Sequence, residues 1–233
     1  MTDQTPYTGT DNLDVMSGAI NYNGFVANRI SDCSSTKQVI VDFGAGTGTL
    51  SRLMRDKGAQ VICIEVDQAL RERLKLDGFE TYNSFLDISD RRFDFIFSSN
   101  VLEHIEDHLS ALRDIYRHLN DGGRLYLYVP AFNLLFSGMD RKVGHFRRYT
   151  KSSLIPILEE AGFEIDQSCY ADSLGFLVTL VFRLFGDKSG AISSRSVKIY
   201  DRILFPVSRV LDRIFQPLFG KNLEVVARRP RQS

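Results

Sequence analysis

No stretch of this 233-residue chain is apolar for long enough to cross a bilayer: the apolar run Leu174 to Phe182 covers nine residues with no formal charge, against about 20 for a spanning helix. The chain does not open on a basic segment leading into an apolar core, so no secretory signal is expected. Cysteine is scarce. Cys33, Cys63 and Cys169 show no C-x-x-C spacing, and the last two fall in strand-like contexts where a buried, inert thiol is the ordinary outcome. A reducing cytoplasm is the expected compartment. No cluster of His, Cys and Asp has the linear spacing of a zinc site, so no metal is expected. Without a helix-turn-helix or an RNA-binding aromatic signature, nucleic acid is not an expected partner. Internal repeats and low-complexity segments are also missing.

Hydrophobic residues make up 43% of the chain and charged residues 25%, enough for one α/β domain with a substantial core. The formal net charge of zero hides an asymmetry. Residues from Asp140 onward carry 16 Lys+Arg against 10 Asp+Glu, and the preceding part carries 13 against 19. The basic half fits an anionic substrate or surface, or a merely solvated face.

The most informative segment is Val39-Ile40-Val41-Asp42-Phe43-Gly44-Ala45-Gly46-Thr47-Gly48-Thr49-Leu50. A β-branched strand ends near an acid and passes through three alternating glycines into a helical pattern. Glycine tolerates positive φ and has no Cβ, so such a loop can bring bare backbone against a nucleoside cofactor. A plain tight turn would read the same way. Thr49 stands where a G-x-G-x-x-G dinucleotide fingerprint needs glycine, and no Gly-Lys-Ser/Thr follows, which disfavours a nicotinamide-dependent oxidoreductase and a P-loop. Gln60 to Glu65 reads as a second buried strand, with Glu65 about twenty residues past the glycines. A carboxylate there can take both ribose hydroxyls, or be only a solvated strand end.

Phe93-Asp94-Phe95-Ile96-Phe97-Ser98-Ser99-Asn100 is a further apolar strand, followed by Val101-Leu102-Glu103-His104-Ile105-Glu106-Asp107 and by Asp121-Gly122-Gly123-Arg124-Leu125-Tyr126-Leu127-Tyr128-Val129-Pro130. In this order, over about residues 38–130, the motifs resemble the class I S-adenosylmethionine-dependent methyltransferases of the small bacterial type. The resemblance implies a Rossmann-like, seven-stranded, mostly parallel sheet with an antiparallel last strand, and S-adenosyl-L-methionine as cofactor. It places Asp42, Gly44, Ala45, Gly46, Thr47 and Gly48 at the methionine part, Glu65 at the ribose and Val66 at the adenine. Ser99, Asn100 and Val101 would lie by the sulfonium. Ser84 and Phe85 are the candidates for the adenine edge, although that segment lacks the family's usual acidic-hydrophobic pair. The acidic grouping of magnesium-dependent, catechol-type relatives is not evident.

Helices are expected near 48–57, 68–76, 107–119 and 150–162, with strands near 79–82, 93–98, 123–129, 163–170 and 222–228, an alternation that builds a parallel sheet. The helix at 107–119 is expected to stop at Asp121-Gly122-Gly123. Residues 1–18 are polar and turn-rich and expected to be mobile, and Tyr22 to Ile30 has the spacing of a helix that could cap the cofactor cleft. The division is a single domain: cap 1–37, core 38–170 and 221–229, and insert 171–220. A structureless insert of that length would be unusual. It shows helical patterns at 174–185 and 196–215, with Lys198, Arg202, Arg209 and Arg213 among the apolar positions. This reads as a substrate-side lid with a possible peripheral membrane contact across 174–215.

Asp140-Arg141-Lys142-Val143-Gly144-His145-Phe146-Arg147-Arg148-Tyr149 follows the fifth strand and so belongs at the carboxyl edge, where open α/β sheets bind ligands. Some members of the resembled family carry the same G-H-x-R-R-Y element. His145 is the favoured base, Arg147 and Arg148 can grip an anion bidentately, and Tyr149 is a shaping or hydrogen-bonding residue. Tyr22 is a further substrate candidate. The arginines could instead pair with local acids such as Asp140 and Glu159. His104 is either a second base or a structural histidine at a helix start. The expected function is methyl transfer to a small or lipid-like, anionic acceptor, favoured at oxygen. The alternative is a scaffold that keeps the cofactor pocket and does no chemistry.

Overall fold

The computed structural model describes residues 10–34, 39–88, 90–185 and 194–231. Seven strands form one sheet: β1 (Val39–Phe43), β2 (Gln60–Ile64), β3 (Glu80–Tyr82), β4 (Phe93–Ser99), β5 (Leu119–Pro130), β6 (Glu164–Ala171) and β7 (Asn222–Arg228). Their spatial order is 3-2-1-4-5-7-6. β1 to β5 run parallel, while β7 lies antiparallel between β5 and β6. The seven-stranded, mostly parallel Rossmann-like sheet with an antiparallel last strand is therefore the observed fold.

Side chains alternate across the sheet with period two and so fill two cores. Val41, Ile62, Ile96, Leu125, Leu127 and Val225 face one core, with Leu112 and Ile115 from α5 (His108–Arg117) and Leu154 and Leu158 from α7 (Lys151–Glu160). Ile40, Cys63, Phe95, Phe97, Tyr126 and Tyr128 face the other. There they meet Val26 and Ile30 of α2 (Ile20–Cys33), Met54 of α3 (Thr49–Asp56) and Leu74 of α4 (Gln68–Leu76).

Several boundaries differ from the sequence expectation. Within the segment expected to be mobile, Thr10–Ser17 forms a helix, α1; residues 1–9 lie outside the described ones. The helix of 107–119 ends at Arg117, before Asp121-Gly122-Gly123, because Leu119 already pairs with Phe93 in the sheet. The glycines sit instead where the β4–β5 register shifts. The insert contains α8 (Ser173–Phe185), α9 (Ser194–Ile199), a π-helical turn (Tyr200–Leu204) and α10 (Phe205–Phe215). The pattern at 196–215 thus resolves into two α-helical pieces around a wider turn. Residues 186–193 lie outside the described ones.

Buried carboxylates fasten the insert, one to the body and one within itself. Helix α2 opens on Ala19, which has no side-chain cap. The missing acceptor comes from Asp201, 2% exposed, whose two oxygens take the amides of Asn21 (3.0 Å) and Tyr22 (2.8 Å). Asp212 likewise accepts from the amides of Asp172 (3.0 Å) and Ser173 (2.8 Å) at the start of α8. An acid that receives first-turn N–H groups stabilises a helix through both hydrogen bonding and the dipole. Asp201→Ala is expected to lose about 1 kcal/mol in denaturant unfolding, as other lost N-caps do, and Asp201→Asn less. Equal stability of all three proteins would show that this cross-chain cap does not hold the insert.

Candidate active site

The loop after β1 turns through three glycines with positive φ, Gly44 (+82°), Gly46 (+56°) and Gly48 (+78°). A Cβ on Gly44 would stand 2.3 Å from Cγ2 of Val101, so the loop and the segment after β4 can touch only because that atom is missing. The amides of Gly44 and Ala45 donate to the Ile64 carbonyl at 2.8 and 3.1 Å. Glu65 is 8% exposed. One of its carboxylate oxygens accepts from the Gly46 amide at 2.7 Å and the other from the Asp67 amide at 2.9 Å. Each oxygen keeps acceptor capacity for a diol. Val66 beside it is exposed, and Leu13 of α1 lies over Gly46. The bare loop, the oriented carboxylate and an apolar cover together fit the nucleoside and amino-acid parts of S-adenosylmethionine.

Two residues expected on the cofactor are otherwise engaged. Asp42 turns beneath the loop, 3% exposed, and accepts from Ser51 Oγ at 2.5 Å. Burial pushes its carboxyl up to about 7, with the Ser51 bond opposing and the charge of Glu65 adding to the rise. Phe85 is a core residue, stacked between Phe43 (5.5 Å) and His118 (4.4 Å). The amide of Ser84 donates to Asp87.

β4 delivers Ser99, Asn100 and Val101 to the carboxyl edge. Asn100 adopts φ +53°, a conformation asparagine reaches more readily than most residues. Its amide donates to the Tyr128 carbonyl at 2.7 Å, and its side chain receives Asn222 Nδ2 at 3.4 Å. Tyr22 approaches the same point. Burial raises its phenol well above the ordinary value, against hydrogen bonding with Asn100 and Tyr128.

Beyond Asn100 lies a compact polar group assembled from residues some forty positions apart. His145 Nδ1 stands 2.7 Å from Asp140 Oδ1, and its Nε2 is 3.8 Å from Glu103 Oε1. The His104 ring packs edge-on against His145, centroids 4.5 Å apart. Burial lowers the His104 imidazole to about 4, the charge of His145 adding to the effect. Glu103 is fully buried, and burial raises its carboxyl to about 8, opposed by its own amide and by Arg148. Asp140 is held below the carboxylate range: burial works against this, but hydrogen bonds from His145 and Arg148 outweigh it.

The structure thus brings His145, His104, Tyr22 and Asn100 towards one edge. It does not leave Arg148 for a substrate. Arg148 is 8% exposed and bidentate on Asp140 at 2.8 and 3.1 Å, the local pairing that was the alternative for this residue. Arg147 donates to the Glu106 carbonyl at 2.9 Å. Tyr149 is buried, its hydroxyl 2.8 Å from His108 Nδ1 and donating to the Leu102 carbonyl, so it supports the Glu103 segment from below. Sequence reasoning missed Asp172, Tyr200, Lys221 and Asn222. Asp172 Oδ1 accepts from the Tyr200 and Ser208 hydroxyls. Burial lowers the Lys221 ammonium, with Asp172 pulling it back up. Only the position of Asp172 and Lys221 beside the ends of β6 and β7 could have drawn attention to them.

A methyltransferase domain family matches residues 19–168. The chain therefore belongs to that methyltransferase domain family. It is 31% identical over 121 residues to an uncharacterized methyltransferase of Staphylococcus carnosus, an alignment covering 48% of this chain and 56% of that protein. The chain thus spans little more than half of that relative. Among solved structures, it superposes on a SAM-dependent methyltransferase from Archaeoglobus fulgidus with a TM-score of 0.58 at 15% identity, covering 89% of this chain and 94% of the other. A second is Haemonchus contortus phosphoethanolamine N-methyltransferase 2 with phosphomonomethylethanolamine and S-adenosylhomocysteine (TM-score 0.57, 20% identity, 91% of this chain and 53% of that one).

The raised carboxyl of Asp42 has a definite pH signature. A group that holds its proton more tightly in the folded chain favours folding fully below its unfolded value near 3.8. That contribution is lost as pH rises towards about 7. Asp42→Asn should remove this slope and gain on the order of 3 kcal/mol relative to the parent chain at pH 8 compared with pH 4. Parallel stability profiles, from urea unfolding at a series of pH values, would contradict the burial of an ionisable Asp42.

Proposed function

We propose that this chain transfers the methyl group of S-adenosylmethionine to an oxygen of an anionic, lipid-like acceptor presented at a membrane surface. The observation that carries the reading is the insert. Its inner side is fastened by Asp201 and Asp212, whereas Ile199, Ile203, Val207, Val210 and Ile214 are 49–70% exposed on its outer side. These positions recur every three or four residues and so form one stripe along the helical path. Arg195, Lys198, Arg202 and Arg213 are exposed among them. An apolar stripe flanked by cations suits the headgroup boundary of an anionic bilayer. No helix among the described residues is long and apolar enough to cross a membrane; the reading is one of lying on it.

Methyl transfer from a sulfonium needs little covalent help, because the leaving group is already activated. What the protein supplies is alignment, worth up to about 7–11 kcal/mol in favourable systems. Gly44 to Gly48 and Glu65 hold the donor. Asn100 and Tyr22 border the side from which an acceptor approaches, and the Glu103–His104–His145 group beyond them handles the acceptor oxygen. Lys221 supports an anionic acceptor by its charge. The phosphorylated small acceptor named for the Haemonchus structure is compatible with this but shares only the fold.

Replacing Glu65 by Gln keeps the shape and removes the charge on the ribose diol. The expected result is a 10- to 100-fold weaker Kd for S-adenosylmethionine by calorimetry, in line with a lost charge-assisted bond. An unchanged Kd would remove Glu65 from the cofactor site. For the surface, co-sedimentation with phosphatidylglycerol vesicles at low salt should capture the chain, and phosphatidylcholine vesicles should not. Ile203→Asp with Val210→Asp should abolish capture. No binding to anionic vesicles, or a stable dimer that conceals the stripe, would overturn the lipid reading. Transfer of labelled methyl to a lipid or carboxylate extract, read at oxygen, tests the acceptor.

A further inference from the structure

Glu103 is the least explained side chain in the fold. It is 0% exposed, and neither oxygen of its carboxylate has a hydrogen-bond partner among the described side chains and backbone. A buried carboxylate without a counter-charge is strongly unfavourable. Arg148 could have served it, but its Nε and Nη2 donate to Asp140 and its Nη1 to the Ala131 carbonyl.

What faces Glu103 instead is a pair of imidazoles. Glu103, His104 and His145 each offer one ligand atom, and the three atoms lie within 4.8 Å of one another. Donors at about 2.0–2.2 Å from one ion stand at most about 4.4 Å apart, so the three side chains would have to close in slightly to hold it together. The two rings are held from behind. Asp140 Oδ1, 2.7 Å from His145 Nδ1, favours the proton on Nδ1 and so turns the Nε2 lone pair towards Glu103. The backbone of Val143 and Gly144 hydrogen-bonds the His104 ring. A carboxylate or carbonyl behind a ligating histidine is the arrangement that fixes tautomer and orientation at metal centres. Linear spacing concealed the group: His145 lies 41 positions beyond His104 and arrives through the Phe146 amide, which donates to the Glu103 carbonyl at 2.9 Å.

We propose that Glu103, His104 and His145 bind one divalent first-row transition-metal cation, with Asp140 positioning His145 from behind. Two imidazoles with one carboxylate select zinc-like or manganese-like ions over magnesium or calcium, which prefer all-oxygen sets. Three protein ligands leave coordination positions open. On the methyltransferase reading, these positions face the acceptor side beyond Asn100, where the ion would hold an acceptor oxygen and favour its deprotonated form. Ion binding itself does not depend on that reading.

The test uses the full chain freed of metal by a chelator, with neither cofactor nor acceptor present. Calorimetry with Zn²⁺ should give one ion per chain at micromolar Kd or tighter, and Co²⁺ should produce visible d–d absorption with the same stoichiometry. Glu103→Gln should weaken Zn²⁺ at least tenfold, His145→Ala should abolish the Co²⁺ bands, and Glu72→Gln, on the exposed face of α4, should leave both unchanged. Circular dichroism and thermal melts establish that each variant is folded. Should a variant not fold, the parent chain still decides: no stoichiometric Zn²⁺ or Co²⁺ binding overturns the proposal, in favour of a plain imidazolium–carboxylate contact. Equal binding by folded Glu103→Gln and His145→Ala chains also overturns it. Loss of S-adenosylmethionine binding with ion binding intact would count against the methyltransferase reading alone.

Discussion

The contact between Gly44 and Val101 sets the rest of the site. β1 and β4 are neighbours in the sheet, and the chain leaving each must turn over the same edge. The two turns can close on each other only with backbone at Gly44, where any Cβ would overlap Val101. That closeness puts the glycine loop on one side of the carboxyl edge and Asn100 on the other. The Gly46 amide donates to Glu65 and fixes the glycine loop on its side of the edge. The chain continues from Val101 directly into Glu103 and His104, so the polar group on the acceptor side inherits its position from the same packing.

Asp140 organises that second side as Glu65 organises the first. Its two oxygens serve Arg148, His145 and the amide and hydroxyl of Ser137. A carboxylate so fully hydrogen-bonded stays charged when buried. It neutralises Arg148 and leaves Glu103 as the group whose charge lacks a fixed partner. The insert then covers this edge, burying Phe205 against Tyr22 and Phe25 and packing Phe176 on Phe132. Its inward acids bind helix starts, and its outward side keeps the apolar stripe and the cations. The roof is thus attached by directional bonds together with these aromatic contacts, and the body beneath by two large apolar cores.

The sheet was legible because its central strands β1, β2 and β4 are short apolar runs, and alternation within each run assigns its faces. Ile40 against Val41, and Phe95 and Phe97 against Ile96, divide between the two cores as period two requires. The glycine loop was legible for a related reason: it is built from consecutive residues, so Gly44 to Gly48 announce themselves by spacing, and the structure joins Gly46 to Glu65. The acceptor side is built from residues brought together by topology. Arg148 looked available because its partner Asp140 lies eight residues away, and nothing in the linear order says which of several acids it meets. Phe85 looked like an adenine neighbour by its place after β3, but an aromatic between Phe43 and His118 has more to gain from the core. The helix before β5 stopped early because strand pairing at Leu119 outweighs the glycine signal three residues on. Thr10–Ser17 is polar in sequence and helical in the fold, where Leu13 reaches Gly46.

The central claim is that the loop after β1, together with Glu65, seats S-adenosylmethionine rather than a dinucleotide. Calorimetric titration of the chain with S-adenosylmethionine and, separately, with NAD decides it. The account predicts one molecule of S-adenosylmethionine bound per chain, with NAD far weaker. Tighter binding of NAD, or no heat of binding from S-adenosylmethionine, would contradict it.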